Sequence, residues 1–157
     1  MHTKSKRSMF VAMAFAGAVL AAGAPAFALS VTGFTGKTTP SSSSNCMTES
    51  NGAVYNNCGA QTTYEIPLAV NQGSHNVTIS YYNAGGGTFW CQLVAVDNIG
   101  RYCPPTGCTI TSQVFMNTVG SPDQVTTPSV TVPGQGSLYL TCNVNPYSKI
   151  YNVNYSE

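Results

Sequence analysis

Charge is scarce in this chain. Lys, Arg, Asp and Glu together make up 7% of its 157 residues. Three of the six basic residues, Lys4, Lys6 and Arg7, stand ahead of the apolar stretch "MFVAMAFAGAVLAAGA", which leaves Lys37, Arg101 and Lys149 for everything after it. Against those three stand Glu49, Glu65, Asp97, Asp123 and Glu157, a net charge of −2 over residues 29–157. Such a chain cannot neutralise a row of phosphates, which excludes nucleic acid as a partner. It also offers no basic amphipathic face to anionic lipid.

Helical patterning is missing too. No stretch of ten or more residues repeats apolar side chains at the 3.6-residue period, so helical bundles and α/β folds are excluded. Histidine is nearly absent: after His2 there is only His75, and no C-x-x-C pair occurs, which excludes a zinc site of the usual spacings. No metal or other cofactor is expected. Long hydrophobic runs are lacking as well. The longest is the alanine-rich run of about 16 residues near the start, short of the roughly 20 a membrane span needs.

That run is better read as a leader. A basic start, an apolar centre and the small-x-small signal Ala26-Phe27-Ala28 predict a secretory signal peptide over 1–28, bacterial in style and cleaved after Ala28. Removal leaves 129 of the 157 residues, enough for one domain with its own core. The expected location is secreted, extracellular or periplasmic, with no membrane insertion after cleavage.

Cysteine use agrees with export. All six cysteines, Cys46, Cys58, Cys91, Cys103, Cys108 and Cys142, follow the leader, and an even number in an exported domain reads as three disulfides. Count alone allows 15 pairings, but strand patterning narrows them. The chain after residue 52 is a series of short strand candidates separated by turn residues: "TTYEIPLAV", "NVTISYY", "TFWCQLVAV", "TITSQVFM", "PSVTV", "LYLTCNV" and "KIYNVNY". Seven to nine strands at this spacing predict an all-β fold, an antiparallel β-sandwich or jelly roll stapled by disulfides. Residues 29–52 are expected to form an N-terminal arm, with a strand over 29–34 and a flexible Ser/Thr-rich loop over 38–45, and residues 53–157 the sandwich.

Alternation assigns the faces. Phe89, Cys91, Leu93 and Ala95 share one face of their strand, and Leu138, Leu140, Cys142 and Val144 share one face of theirs. Both sets are uniformly apolar and therefore face inward, which predicts a Cys91–Cys142 bridge in the core. The other four cysteines then pair locally, Cys46 with Cys58 and Cys103 with Cys108. In the last strand, Tyr151, Val153 and Tyr155 are expected to oppose Asn152 and Asn154.

The outward sets carry the functional signal. Trp90, Gln92, Tyr82, Tyr139, Thr141 and Asn143 all oppose the apolar sets, and Trp90 is the only tryptophan. Sugars present apolar C–H faces that lie on aromatic rings, and hydroxyls that bond to amide and hydroxyl groups. Those six residues are the candidate ligand-binding set.

Other constellations stay below a functional reading. His75 reads as a solvated turn residue. Glu49, Glu65, Asp97 and Asp123 could in principle supply a hydrolytic carboxylate pair or a calcium site, but none sits in a recognisable motif. "CPPTGC" reads as a rigid disulfide-held loop tip rather than a redox centre. The glycine runs in "NAGGG" and "PGQGS" join strand to strand and are turns, not phosphate loops. The acceptor-like triplets at Asn76 and Asn154 carry little weight behind a bacterial-style leader.

The rhythm of "IPLAVNQGSHNVTISYYNAGGG", followed by the closing "GQGSLYLTCNVNPYSKIYNVNY", resembles that of jelly-roll carbohydrate-binding modules. The resemblance lies in the order of strands and glycine turns and carries over no site residue. The expected function is a non-enzymatic module that binds a glycan or another extracellular polymer. Its rival is a structural protein of a surface layer, coat or filament, in which the partner is another copy of the chain and the arm adds a strand to a neighbour's sheet edge.

Overall fold

Branched and aromatic residues alternating with Ser, Thr, Asn and Gln give strands with one dry face. The computed structural model describes residues 28–33, 36–39, 45–97 and 110–156, and thirteen short strands form among them. Lys37–Thr39 (β2), Thr62–Leu68 (β5), Ser137–Val144 (β12), Trp90–Val96 (β8) and Val114–Phe115 (β9) make one sheet, in the spatial order β2-β5-β12-β8-β9. Pro122–Thr126 (β10), Val77–Tyr82 (β7), Lys149–Ser156 (β13), Ala53–Asn56 (β4) and Met47–Ser50 (β3) make the other, in the order β10-β7-β13-β4-β3. A sixth strand, Ala28–Thr32 (β1), lies beside the second half of β13. Gly73–His75 (β6) and Val130–Val132 (β11) form a separate two-stranded piece. Every strand pair is antiparallel. The fold is an antiparallel β-sandwich.

The core lies between the two sheets. Ile66, Leu93, Leu138, Leu140 and Phe89 meet Val77, Ile79, Tyr81, Ile150 and Val153, with Val130 and Val132 of β11 added from the side. Cys91 and Cys142 stand directly opposite each other on β8 and β12, fully buried, with Cα atoms 4.0 Å apart, and are joined. Cys46 and Cys58 bridge the base of the β3–β4 hairpin, whose tip is Asn51-Gly52. Both tip residues have positive φ, 52° and 78°, as a two-residue hairpin turn requires. Cys103 and Cys108 lie outside the described residues.

Four readings change. Residues 29–52 contribute three strands: β1 pairs with the chain's own β13, β2 with β5 and β3 with β4. The stretch expected to be a loop from residue 38 therefore begins inside a strand. His75 is not a solvated turn residue but is 3% exposed in β6, with Nε2 2.9 Å from the Asn71 carbonyl oxygen. In β8, Val94 and Val96 are buried along with the inward set, and Ile110 bridges to Val94. A bulge between Ile150 and Asn152 turns Tyr151 out of the face shared by Val153 and Tyr155, so that Ile150 and Val153 both enter the core.

Candidate functional site

Strand register lays the outer face of the five-stranded sheet out in rows. Residues directly opposite on neighbouring strands share a face. One row runs Phe115, Trp90, Asn143, Thr63, Thr39. The next runs Gln92, Thr141, Glu65, Lys37, and a third runs Val94, Tyr139, Pro67. A row of five strands spans four steps of about 4.8 Å, roughly 19 Å, and successive rows are about 7 Å apart. The inward cysteine pair fixes this arrangement: with Cys91 and Cys142 in the core, Trp90 and Asn143 must face out side by side.

The face is aromatic at one end and polar across the middle. Phe115, on the edge strand, is 44% exposed, while Trp90, Gln92, Thr141, Asn143 and Tyr139 are half-buried. The Asn143 amide is held by its neighbour: its Nδ2 donates to Gln61 Oε1 at 3.3 Å. Gln61 Nε2 in turn donates to Asn145 Oδ1 at 2.7 Å and to the Thr88 carbonyl at 3.0 Å. Behind Gln61 is a buried polar cluster that the sequence reading missed. Asn145 Nδ2 donates to Asn83 Oδ1 and to the Gly87 carbonyl, and Asn83 Nδ2 to the Met116 carbonyl. Asn56 Nδ2 donates to the carbonyls of Ala60 and Val144. These bonds tie together the loops that lead into Trp90 and out of Asn143.

At the opposite end the sheet has a hollow of about 190 Å³, lined by Gly36, Lys37, Glu65, Pro67 and Tyr139. It lies where the described part of β2 begins, at the Lys37–Glu65 pair, with Pro67 two residues further along β5. Gly36 is required there, since a Cβ would collide with the Glu65 carbonyl and sit 2.6 Å from the Tyr64 ring. Around the edge of β2, Met47, Glu49, Val54 and Tyr64 line a second hollow of about 260 Å³ with Lys37. Burial pushes the Tyr64 phenol up, and the Glu49 charge adds to this against a hydrogen bond with the Gly36 backbone.

Five of the six residues expected to bind ligand, Trp90, Gln92, Tyr139, Thr141 and Asn143, share this face. Tyr82 does not. It belongs to β7 in the six-stranded sheet, opposite Lys149, which also pairs with Tyr55 and lies 5.4 Å from that ring's centre. Alternation says which side chains leave a strand's dry face but not which sheet the strand joins. Phe115, Thr63 and Glu65 were missed, although the alternation of Tyr64, Ile66 and Leu68 already turns Thr63 and Glu65 outward. The acids do not converge: among the described residues no three His, Cys, Asp or Glu side chains cluster.

Asp123 is engaged in the other sheet. The Thr118 hydroxyl and the Gln124 backbone N–H, with a smaller part from the Tyr81 hydroxyl, hold its carboxyl below the usual carboxylate range.

Solved structures share this arrangement. The C-terminal CBM6 of LamC, a marine laminarinase from Zobellia galactanivorans, matches over 83% of this chain and 100% of its own, at TM-score 0.51 and 9% identity. The CBM36-1 domain of a multidomain xylanase from the hindgut metagenome of Trinervitermes trinervoides matches over 83% and 97%, at TM-score 0.51 and 11% identity. The Podospora anserina GH26-CBM35 β-(1,4)-mannanase matches over 83% of this chain and 28% of its own, at TM-score 0.54 and 13% identity. The fold is that of β-sandwich carbohydrate-binding modules. No protein-family model matches the sequence, and no curated protein sequence does. At such identities the likeness concerns the sandwich and carries no residue of the outer face.

Proposed function

We propose that this chain is a secreted, non-enzymatic module that binds a carbohydrate through the outer face of the five-stranded sheet. The observation that carries the reading is the row Phe115–Trp90–Asn143 with Gln92 and Thr141 beside it. Two adjacent aromatic side chains offer a surface for the C–H face of a sugar ring, and the flanking amides and hydroxyl can bond to its rim. The Gln61 anchor fixes the Asn143 amide in advance, which lowers the ordering cost of binding. The fold supports the reading, because the modules it matches belong by name to a laminarinase, a xylanase and a mannanase. Two disulfides and the leader-like start support export to an oxidising compartment, and the style of that start supports a bacterial source. A second copy of the chain is the rival occupant of this face. Pairing of β1 within its own chain supports the glycan instead, since that strand is engaged at home.

Native affinity electrophoresis in gels containing laminarin, β-mannan or xylan tests the proposal. At least one polysaccharide should retard the wild type, and Trp90→Ala should abolish the retardation. The half-exposed setting of Trp90 predicts a stability loss below about 2 kcal/mol, a shift of several degrees in Tm at most. Unchanged retardation, or destabilisation by about 3 kcal/mol or more as for a core aromatic, would contradict it.

A further inference from the structure

We propose, resting on the carbohydrate reading above, that the hollow at the β2 end of the same face is a second sugar subsite, selective for a neutral pyranose ring with adjacent hydroxyls. The hollow holds about 190 Å³, below the several hundred Å³ of pockets for drug-sized ligands and suited to one small ring. Its walls are of three kinds. Tyr139 and Pro67 supply an apolar side, and the backbone of Gly36, packed close against the Glu65 carbonyl, forms part of the wall. Glu65 and Lys37 face each other across the β2–β5 pair and both reach the hollow.

That pair is unusual in this chain. Residues 29–157 contain three basic and five acidic side chains in all, and the fold brings one of each to this hollow. A carboxylate accepts hydrogen bonds from two adjacent hydroxyls at once, and an ammonium donates to hydroxyl or ring oxygens. Such bonds are stronger than those between neutral groups. The pair is neutral overall, so it complements a neutral sugar, whereas a uronate would be set against Glu65.

Trp90 lies one strand and four residues from Tyr139, roughly 14 Å away by strand geometry. One sugar ring cannot touch both places. The ligand is therefore an oligosaccharide segment that crosses the sheet obliquely, with one ring on Trp90 and another in the hollow, and the two contacts reinforce each other.

Calorimetric titration with laminarihexaose, cellohexaose, mannohexaose, xylohexaose and hexagalacturonate provides the test. The wild type should bind at least one neutral hexasaccharide more tightly than hexagalacturonate. Glu65→Ala and Lys37→Met should each weaken that binding about tenfold or more, the loss expected for a hydrogen bond to a charged group, with Tm unchanged. Tightest binding to hexagalacturonate would overturn the assignment to neutral sugars. Binding that Trp90→Ala abolishes but both hollow variants leave intact would overturn the subsite while the carbohydrate reading stands. If no hexasaccharide binds the wild type, the carbohydrate reading fails and the subsite with it.

Discussion

Asn143 shows how a single amide acquires a direction. With its Nδ2 donating to Gln61, it is held on the outer face directly opposite Trp90. The amides behind it run from the exposed Gln61 to the buried Asn145 and Asn83, hydrogen-bonded throughout, and among the described residues no buried side-chain polar atom lacks a partner. Satisfied buried networks of this kind rigidify the loops that carry them. Asp123, exposed on the edge strand of the other sheet, is also held by hydrogen bonds. Its carboxylate receives the Thr118 hydroxyl, the Gln124 backbone N–H and the Tyr81 hydroxyl, and Tyr81 packs edge-on against Phe89 at 5.8 Å, next to Trp90. Because folding lowers this carboxyl's pKa, the ionised form is the one the fold favours. The resulting stabilisation is complete above the ordinary Asp value of about 3.9 and is lost as pH falls through the lower folded value. Asp123→Asn should therefore flatten the acid limb of the stability profile, measured by urea unfolding between about pH 2 and pH 6. A variant whose profile runs parallel to the wild type over that range would contradict the assignment.

At the scale of elements, the Cys91–Cys142 bridge locks β8 to β12 and so fixes the register that puts Trp90 beside Asn143. Replacing both cysteines by alanine should cost about 2–5 kcal/mol in chemical denaturation, the usual range for a native disulfide in a small exported domain. A cost below about 1 kcal/mol would mean that the strand pairing sets the register unaided. This bridge was legible in the sequence because both cysteines sit in uniformly apolar alternating sets, and the same alternation supplied the outward order of Trp90, Gln92, Tyr139, Thr141 and Asn143. What alternation could not supply was sheet membership, which moved Tyr82 to the far side of the sandwich. Nor could it foresee the bulge at Tyr151, since one extra residue reverses the phase of a period-two pattern without leaving a mark in composition. The strand at the start of the arm was legible, but β2 and β3 were hidden for another reason. They are short, polar edge strands whose pairing depends on the strands they join, not on their own residues. The hollow beside Tyr139 gathers residues of β2, β5 and β12, a meeting no local pattern encodes.

For the molecule as a whole, the sandwich turns two outer faces to its surroundings. One carries Tyr82, Lys149 and Tyr55 in a row, with Ser, Thr, Asn and Gln side chains bonded to each other along it, as Thr78 is to Thr126 and Gln124 to Ser80. The other carries the Trp90 row and the hollow. With so few formal charges in the chain, recognition rests on aromatic surface, amides and the Lys37–Glu65 pair rather than on long-range attraction. Binding to the five-stranded face should therefore depend only weakly on salt. The chain offers a direct probe of that face, because Trp90 is its only tryptophan and intrinsic tryptophan fluorescence reports that position alone. Titration of the oxidised protein with whichever polysaccharide retards it in the gel should produce a saturable change in tryptophan emission, absent from Trp90→Phe over the same range. A polysaccharide that binds with the emission unchanged to saturation would place recognition elsewhere on the molecule and contradict the account.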